Sequence, residues 1–447
     1  MPMKITVIGG GLCGCEAAYA AAQRGAEVEL YEMKPAHMSP AHHSPLLAEL
    51  VCSNSLKAAR LESAAGLLKE EMRRLGSVCM KAAARSSVAA GGALAVDREQ
   101  FSGYITEIIR SHPNIRVIEK RVETIPREGT VIVATGPLTD GPLAEDIKKV
   151  CGLDTLSFYD AAAPIVMYDS IDMSLAFRAS RYGRGEEEGG DYINCPMSKE
   201  EYEAFYNALV TAEQAPLKDF DRPLTVYEGC MPIEIMARRG PDTIRFGPLK
   251  PVGLRDPRTG KRPWAVVQLR RENAAGSMYN LVGFQTNLKF PEQKRVFSLI
   301  PGLGQAEFAR YGVMHRNSFL DSPRLLQPDF SMRECPGLFF AGQLAGVEGY
   351  MESAAAGILA GIGAVRHIAG QTPFVPPEYT MMGALARYIS DPSVKDFQPM
   401  GANFGVLPPL SERIRDKKAR YGALAARSLA WFDQAGLPGE KTEPAKE

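Results

Sequence analysis

The chain has 447 residues, 45% apolar and 23% charged, with 52 Lys+Arg against 52 Asp+Glu. That composition suits a globular protein with a sizeable core and excludes disorder, collagen and coiled coil as whole-chain descriptions. A formal net charge of +0 excludes a global positive field, so any polyanion must be met by a local patch.

Lys4 to Ile8 is a β-branched run that reads as a strand. It enters the cluster Gly9, Gly10, Gly11, Leu12, Cys13, Gly14. The alanine-rich stretch Cys15 to Arg24 then reads as a helix stopped at Gly25. Glu27 to Tyr31 reads as the next strand, which makes a parallel, right-handed βαβ unit. The start is thus a strand rather than a signal peptide. Lys34 to Pro45 is a loop with His37, His42 and His43, but no HExxH or Cys/His spacing makes a metal site of them. Ala58 to Leu75 reads as a helix, apolar at Leu61, Ala65, Leu68, Met72 and Leu75. Arg116 to Ile125 reads as paired short strands, and Val131 to Val133 as a buried strand ending in Ala134-Thr135-Gly136-Pro137.

From about Tyr168 to Pro301 the αβ rhythm gives way to charged loops, and an inserted lobe is expected. The rhythm returns with a strand at Leu338 to Ala341, leading through Gly342 to a helix from about Met351 to His367. Beyond Gly436 the tail is polar and expected to fray. No apolar run reaches membrane-spanning length. Eight cysteines without a CxxC pair fit reduced thiols, so a cytoplasmic protein with no membrane partner is expected.

The Gly9-x-Gly11-x-x-Gly14 pattern follows a strand, opens a helix and precedes Glu32 at the end of the next strand, the context a dinucleotide site requires. The first glycine, with Gly10 beside it, permits the tight turn. Gly11 lets a pyrophosphate approach the backbone, Gly14 lets helix and strand pack closely, and Glu32 would bind the adenosine ribose. Two later segments favour FAD over NAD. One is VIVATGP (131–137), which carries Gly136. The other is LFFAGQLAGVEG (338–349), which puts Gly342 and Gln343 before a second helix whose N-terminus could meet the flavin. The expected fold class is α/β, a Rossmann-type FAD-binding fold of the glutathione-reductase kind. Residues 1–167 and 302–447 would form it, with a smaller inserted α+β domain at 168–301.

Two cysteines stand out. Cys230 lies in YEGCMPIE, where glycine and proline fix a turn and Arg238 and Arg239 downstream would favour a thiolate. Cys52 lies in VCSNSLK, just before the helix expected from Ala58, whose N-terminus would do the same. On residues alone the small buried hydrophobe is the reading that prevails for each, and only the resemblance described below changes it. Cys13 and Cys15 read as chosen for size beside the turn, and Cys79, Cys151, Cys195 and Cys335 as core.

Between Arg238 and Arg271 ten Lys/Arg face only Asp242 and Asp256, with Phe246 and Trp264 interleaved. Arginine forks for phosphates and aromatic rings for unstacked bases suit single-stranded RNA. Arg238, Arg239, Arg245, Arg262 and Arg270 are the expected RNA contacts. A second basic stretch runs from Arg413 to Arg420; a solvated charged face is the alternative for both.

The segments GGGLCGCEAA, LVCSNSLK, YEGCMPIE, GFQTNLKFPEQKRVF, MHRNSF and LFFAGQLAGVEGYMESAA span almost the whole chain. Together they resemble the folate- and FAD-dependent tRNA uracil-5-methyltransferases. The resemblance implies that Cys230 adds to C6 of a T-loop uracil in tRNA. Cys52 would act with it at the flavin face, as base or as a partner in covalent flavin chemistry. It implies 5,10-methylenetetrahydrofolate as one-carbon donor, FAD as reductant, and NADH or NADPH to recharge it. His315, in Met314-His315-Arg316-Asn317, becomes a candidate for stacking on the pterin. Two alternatives stay open. One is a sister flavoenzyme acting on ribosomal RNA or on the tRNA wobble uridine. The other is a flavin-holding RNA-binding or redox protein without methyl transfer.

Overall fold

The short apolar strands need burial on both faces, and the fold supplies it with helices packed on a parallel sheet. The computed structural model describes residues 3–39, 41–153, 158–161, 163–183, 190–215, 231–271, 276–312, 314–394, 397 and 399–435. Among these, five strands form a sheet in the order Leu338–Phe340, Thr130–Val133, Lys4–Ile8, Glu27–Glu32, Ile115–Glu119. Every pairing is parallel, with Val7 between Leu30 and Ile132. The expected Rossmann-type α/β architecture is the one found.

The first helix, Leu12–Ala22, is buried along its entire length. The long helix Tyr350–Ile368 lies against it, and glycine makes the approach possible. A Cβ on Gly357 would sit 2.1 Å from Cys13 O, and one on Gly361 would sit 2.5 Å from Ala17 O. Two glycines four residues apart therefore let the helix backbones touch. Gly25 follows the first helix with φ +84, the left-handed conformation expected of a stop.

Three sequence expectations change. No helix starts at Ala58: Ser55–Ala58 is a strand paired with Ala93–Val96, and the helix is Ala64–Arg74. Ser63 sets its start by accepting the Gly66 N–H at 3.1 Å, so a good cap outweighs the apolar spacing further upstream. Only Ile115–Glu119 of the 116–125 region is a strand, on the edge of the sheet. Cys335 is exposed rather than core, whereas Cys79, Cys151 and Cys195 are buried. The polar tail beyond Gly436 lies outside the described residues.

A second core is built on an antiparallel sheet. Its order is Phe177–Arg178, Tyr192–Met197, Ala265–Arg271, Met278–Leu281, Ile165–Met167, Phe308–Arg310. Tyr279, Phe205, Phe284 and Phe297 are its largest fully buried side chains. Helix Lys199–Thr211 contributes Phe205 and starts in a capping box between Ser198 and Glu201. The strands Ile165–Met167 and Phe308–Arg310, at opposite ends of this segment, pair with each other.

Far from the sheet's glycine turn, Glu71 ties three helices together. Its carboxyl accepts from Met381 N at 2.7 Å, Met382 N at 2.8 Å and Ser428 Oγ at 2.6 Å. Burial pushes its pKa up to about 7, against the hydrogen bonds that pull it down. The folded state thus holds this proton more tightly than the unfolded chain, and its contribution to stability falls as pH rises from about 4.5 to about 7. In Glu71→Gln that dependence should vanish, read as unfolding midpoints across the same pH window.

The helix contact makes a sharper prediction. Gly357→Ala should cost about 1–3 kcal/mol in denaturant unfolding. Gly422→Ala, where a Cβ meets nothing within 4 Å, should stabilise by roughly 0.5–1 kcal/mol.

Candidate nucleotide cavity and thiol site

The glycine turn borders a cavity of about 1230 Å³, counted out to its mouth. Its walls include Gly9, Gly10, Gly11, Glu32, Lys34, His42, Gly136, Gln343 and Tyr350. The glycines serve different ends. Gly9, at φ +104, leaves no room for a Cβ, which would lie 2.6 Å from Ala134 O; on Gly14 it would lie 1.7 Å from Gly9 O. Those two are demanded by the fold itself. Gly11 has an ordinary φ of −73, and a Cβ there would meet no protein atom within 4 Å. Its bare backbone leaves space on the cavity side.

Glu32 ends the second strand with its carboxylate pinned to the turn. It accepts from Gly10 N at 2.7 Å and from Lys34 N at 2.9 Å. Each oxygen keeps further acceptor capacity. Gly136, at φ +74, turns the chain at the cavity wall after strand Thr130–Val133. Gly342, at φ +76, serves packing: a Cβ would come within 2.9 Å of the Cys13 Cβ. Its neighbour Gln343 lines the cavity and donates to Glu348 Oε2 at 3.1 Å.

His42 is a wall residue the sequence reading left in a loop, and only the tertiary fold reveals it. Its Nδ1 is 2.5 Å from Ser39 Oγ, and burial lowers its pKa, helped by the Lys34 charge. Among the described residues no three His, Cys, Asp or Glu gather as a metal site, and no helix is long and apolar enough to cross a membrane.

Cys52 is half-buried and precedes a strand, so the helix expected from Ala58 is not there to activate it. A hydroxyl takes that place. Tyr350 opens the long helix, lines the cavity and puts its oxygen 3.0 Å from Cys52 Sγ. The same oxygen accepts the backbone N–H groups of Cys52 at 2.7 Å and Ser53 at 3.2 Å. With both lone pairs engaged, its proton points at the sulfur. Burial, then the neighbouring Cys52, pushes the phenol pKa far up, so the hydroxyl stays protonated and can donate.

Cys230 lies outside the described residues. The segment after it is anchored: Ile233 N donates to Gln285 O at 2.7 Å. Buried Glu234 accepts from Asn287 N at 2.7 Å and Thr286 Oγ1 at 2.8 Å. His315 falls in strand Met314–Asn317, paired with Asp160 of strand Phe158–Ala161.

The arginines divide. Arg238, Arg239 and Arg262 are exposed. Arg245 lies over Trp264 at 3.7 Å and near Phe246 at 4.8 Å, both rings being exposed. Arg270 does not share this face. It is only 8% exposed, and its fork donates to Ser53 Oγ at 2.7 Å and Asn54 Oδ1 at 3.1 Å. Strand Ala265–Arg271 is buried through Arg270, whose fork therefore lies inside, on the Cys52 loop.

Comparison with known proteins accords with this arrangement. The family model described as glucose inhibited division protein A matches residues 4–372. A methylenetetrahydrofolate–tRNA-(uracil-5-)-methyltransferase TrmFO of Moorella thermoacetica is 58% identical over 436 residues, 98% of this chain and 99% of its own. Its counterpart in Acetivibrio thermocellus is 59% identical over 425 residues, 95% of this chain and 97% of its own. Among solved structures, Aquifex aeolicus GidA in its form I crystal superposes with a TM-score of 0.69. That match has 18% identity over 98% of this chain and 77% of the other, a likeness of fold. With more than half its residues identical to these relatives along nearly their full length, the chain belongs to the TrmFO family of methylenetetrahydrofolate–tRNA-(uracil-5-)-methyltransferases.

Proposed function

We propose that this chain methylates C5 of a uridine in the T-loop of tRNA, with 5,10-methylenetetrahydrofolate as one-carbon donor and FAD held along the glycine turn. The observation that carries the reading is the Cys52 sulfur, 3.0 Å from the hydroxyl of a residue that lines the cavity. The nucleotide cavity and the thiol that is the candidate base are thus one hydrogen bond apart.

The residues present fit FAD. Gly11 leaves open backbone where a pyrophosphate would lie, the N-terminus of the first helix would offer it N–H groups, and Glu32 has acceptor capacity for a ribose hydroxyl. Gly136 and Gln343 would complete the wall. Bound there, reduced FAD would supply the reducing equivalents that turn a folate-borne methylene into a methyl group, with NADH or NADPH restoring them.

The remaining work falls to side chains. The Cys230 thiolate would form a bond to C6 of the uracil, and the displaced C5=C6 pair would pass to the C4 oxygen as an enolate. C5 could then bond the one-carbon unit. Loss of the C5 proton to a base, with Cys52 the candidate, would drive cleavage of that carbon's bond to the donor nitrogen and leave an exocyclic methylene on the ring. A hydride added to the methylene would make the methyl group, and the electron pair displaced would expel the Cys230 sulfur and restore the C5=C6 double bond. His315 is the candidate to face the pterin.

Arg238, Arg239, Arg245 and Arg262 would hold tRNA. Arg245, stacked on Trp264, would present a flat face to a base, and the others would meet phosphates. Arg270, turned inward, is left out of this surface. Residues 1–167 with 302–447 would carry the cofactor and 168–301 would form the inserted lobe, a division that the second core between Val166 and Ala306 supports.

Cys230→Ala should purify yellow yet form no 5-methyluridine in tRNA when given methylenetetrahydrofolate and NADPH; normal turnover would remove Cys230 from the reaction. Three phosphate contacts imply that tRNA affinity falls roughly 20- to 40-fold between about 50 and 200 mM salt. Arg262→Ala should flatten that slope, and a wild-type slope near zero would rule out phosphate binding on this face.

A further inference from the structure

The Cys52 loop is gripped on successive residues by cations from both cores. Arg98, at the start of helix Arg98–Ser111, donates to Leu50 O. Arg310, in the edge strand of the second sheet, donates to Val51 O at 2.7 Å. Arg270, from the middle of that sheet, takes Ser53 Oγ and Asn54 Oδ1, while Asn54 Nδ2 returns to Arg271 O at 2.8 Å and Val96 O at 3.1 Å. The one residue of this run whose own N–H and sulfur both meet a single group is Cys52, and that group is the Tyr350 hydroxyl.

We infer that Arg98, Arg270, Arg310 and Tyr350 are positioning residues that hold the Cys52 sulfur in place and favour its anion. Guanidinium groups beside a thiol stabilise the thiolate, and a hydroxyl aimed at the sulfur adds a charge-assisted hydrogen bond. The acids on the surrounding elements are engaged elsewhere. Glu49 faces Lys34 at 3.4 Å and takes the N–H groups of His43 and Ser44. Asp97 caps Gln100 N at 3.0 Å. Glu352 pairs with Lys57 at 2.7 Å and accepts Ala402 N at 3.0 Å. Lys69, also buried, donates to Leu56 O at 2.6 Å. Among the described residues, the charged side chains that hydrogen-bond to the loop are Arg98, Arg270 and Arg310, all positive. Arg270 and Arg310 further tie the sulfur, which sits on the first core, to the docking of the second.

The inference deepens the proposed function by naming what readies one of its two thiols, but its test needs neither tRNA nor folate. The purified full-length protein is alkylated with iodoacetamide across a pH series, and modification of the Cys52 peptide is followed by mass spectrometry. The wild-type rate should reach half its plateau clearly below about pH 8.5, the ordinary thiol value. Tyr350→Phe and Arg270→Met should each move that midpoint up by about one unit, roughly tenfold less labelling near neutrality. Arg270→Lys, which keeps the charge but loses the fork, should fall between. Thermal midpoints report whether each variant folds. Should Arg270→Met fail to fold, Tyr350→Phe decides, since it removes one oxygen and keeps the ring. A wild-type midpoint at or above the ordinary thiol value, or a folded Tyr350→Phe with an unchanged profile, overturns the inference. Labelling as expected without any methylated tRNA would instead refute the proposed reaction and leave the positioning role standing.

Discussion

The close contact between the first helix and the long helix Tyr350–Ile368 governs the rest of the architecture. Because Gly357 and Gly361 carry no side chain, backbone meets backbone, and the two helices begin at the same cavity: Gly11 caps one and Tyr350 opens the other. Two helix N-termini at one space make a local positive end there, although the whole chain is neutral. The sheet positions the turn, but this crossing decides that residues more than 300 positions apart in sequence share a wall.

The second consequence concerns sulfur. Reactive thiols in proteins are commonly activated by a helix N-terminus or an adjacent base. Beside Cys52 the structure places a different group. A phenol whose lone pairs are taken by the Cys52 and Ser53 amides is left with one free direction for its proton, and it points at Sγ. Three arginines hold the loop around this contact, through the Leu50 and Val51 carbonyls and the Ser53 hydroxyl.

The nucleotide-binding half was largely legible in the sequence because its determinants are local. A glycine whose Cβ would lie 1.7 Å from a carbonyl oxygen, Gly14, and the acid that closes the turn from the next strand, Glu32, belong to one short βαβ unit. The start of helix Ala64–Arg74 was misread because apolar spacing extends upstream of the Ser63 cap. Tyr350, His42 and Arg270 were missed or misassigned for another reason: their partners are far away in sequence. Arg270 belongs to a basic run most of whose members face solvent, but it sits on a strand that is buried from Ala265 through Arg270. Charge density alone carries no information about which side of a strand a residue occupies.

The pairing of Ile165–Met167 with Phe308–Arg310 has an evolutionary corollary. The intervening polypeptide enters and leaves through one doorway, so an ancestral exchange of this module would have left the older nucleotide fold unbroken. Such a transplant would nevertheless have had to arrive with arginines on its edge and central strands, or the recipient's sulfur loop would have lost its grip. Compatibility between the halves is thereby written into two side chains, and lineages that swapped the module freely should be those in which the loop no longer bears a thiol.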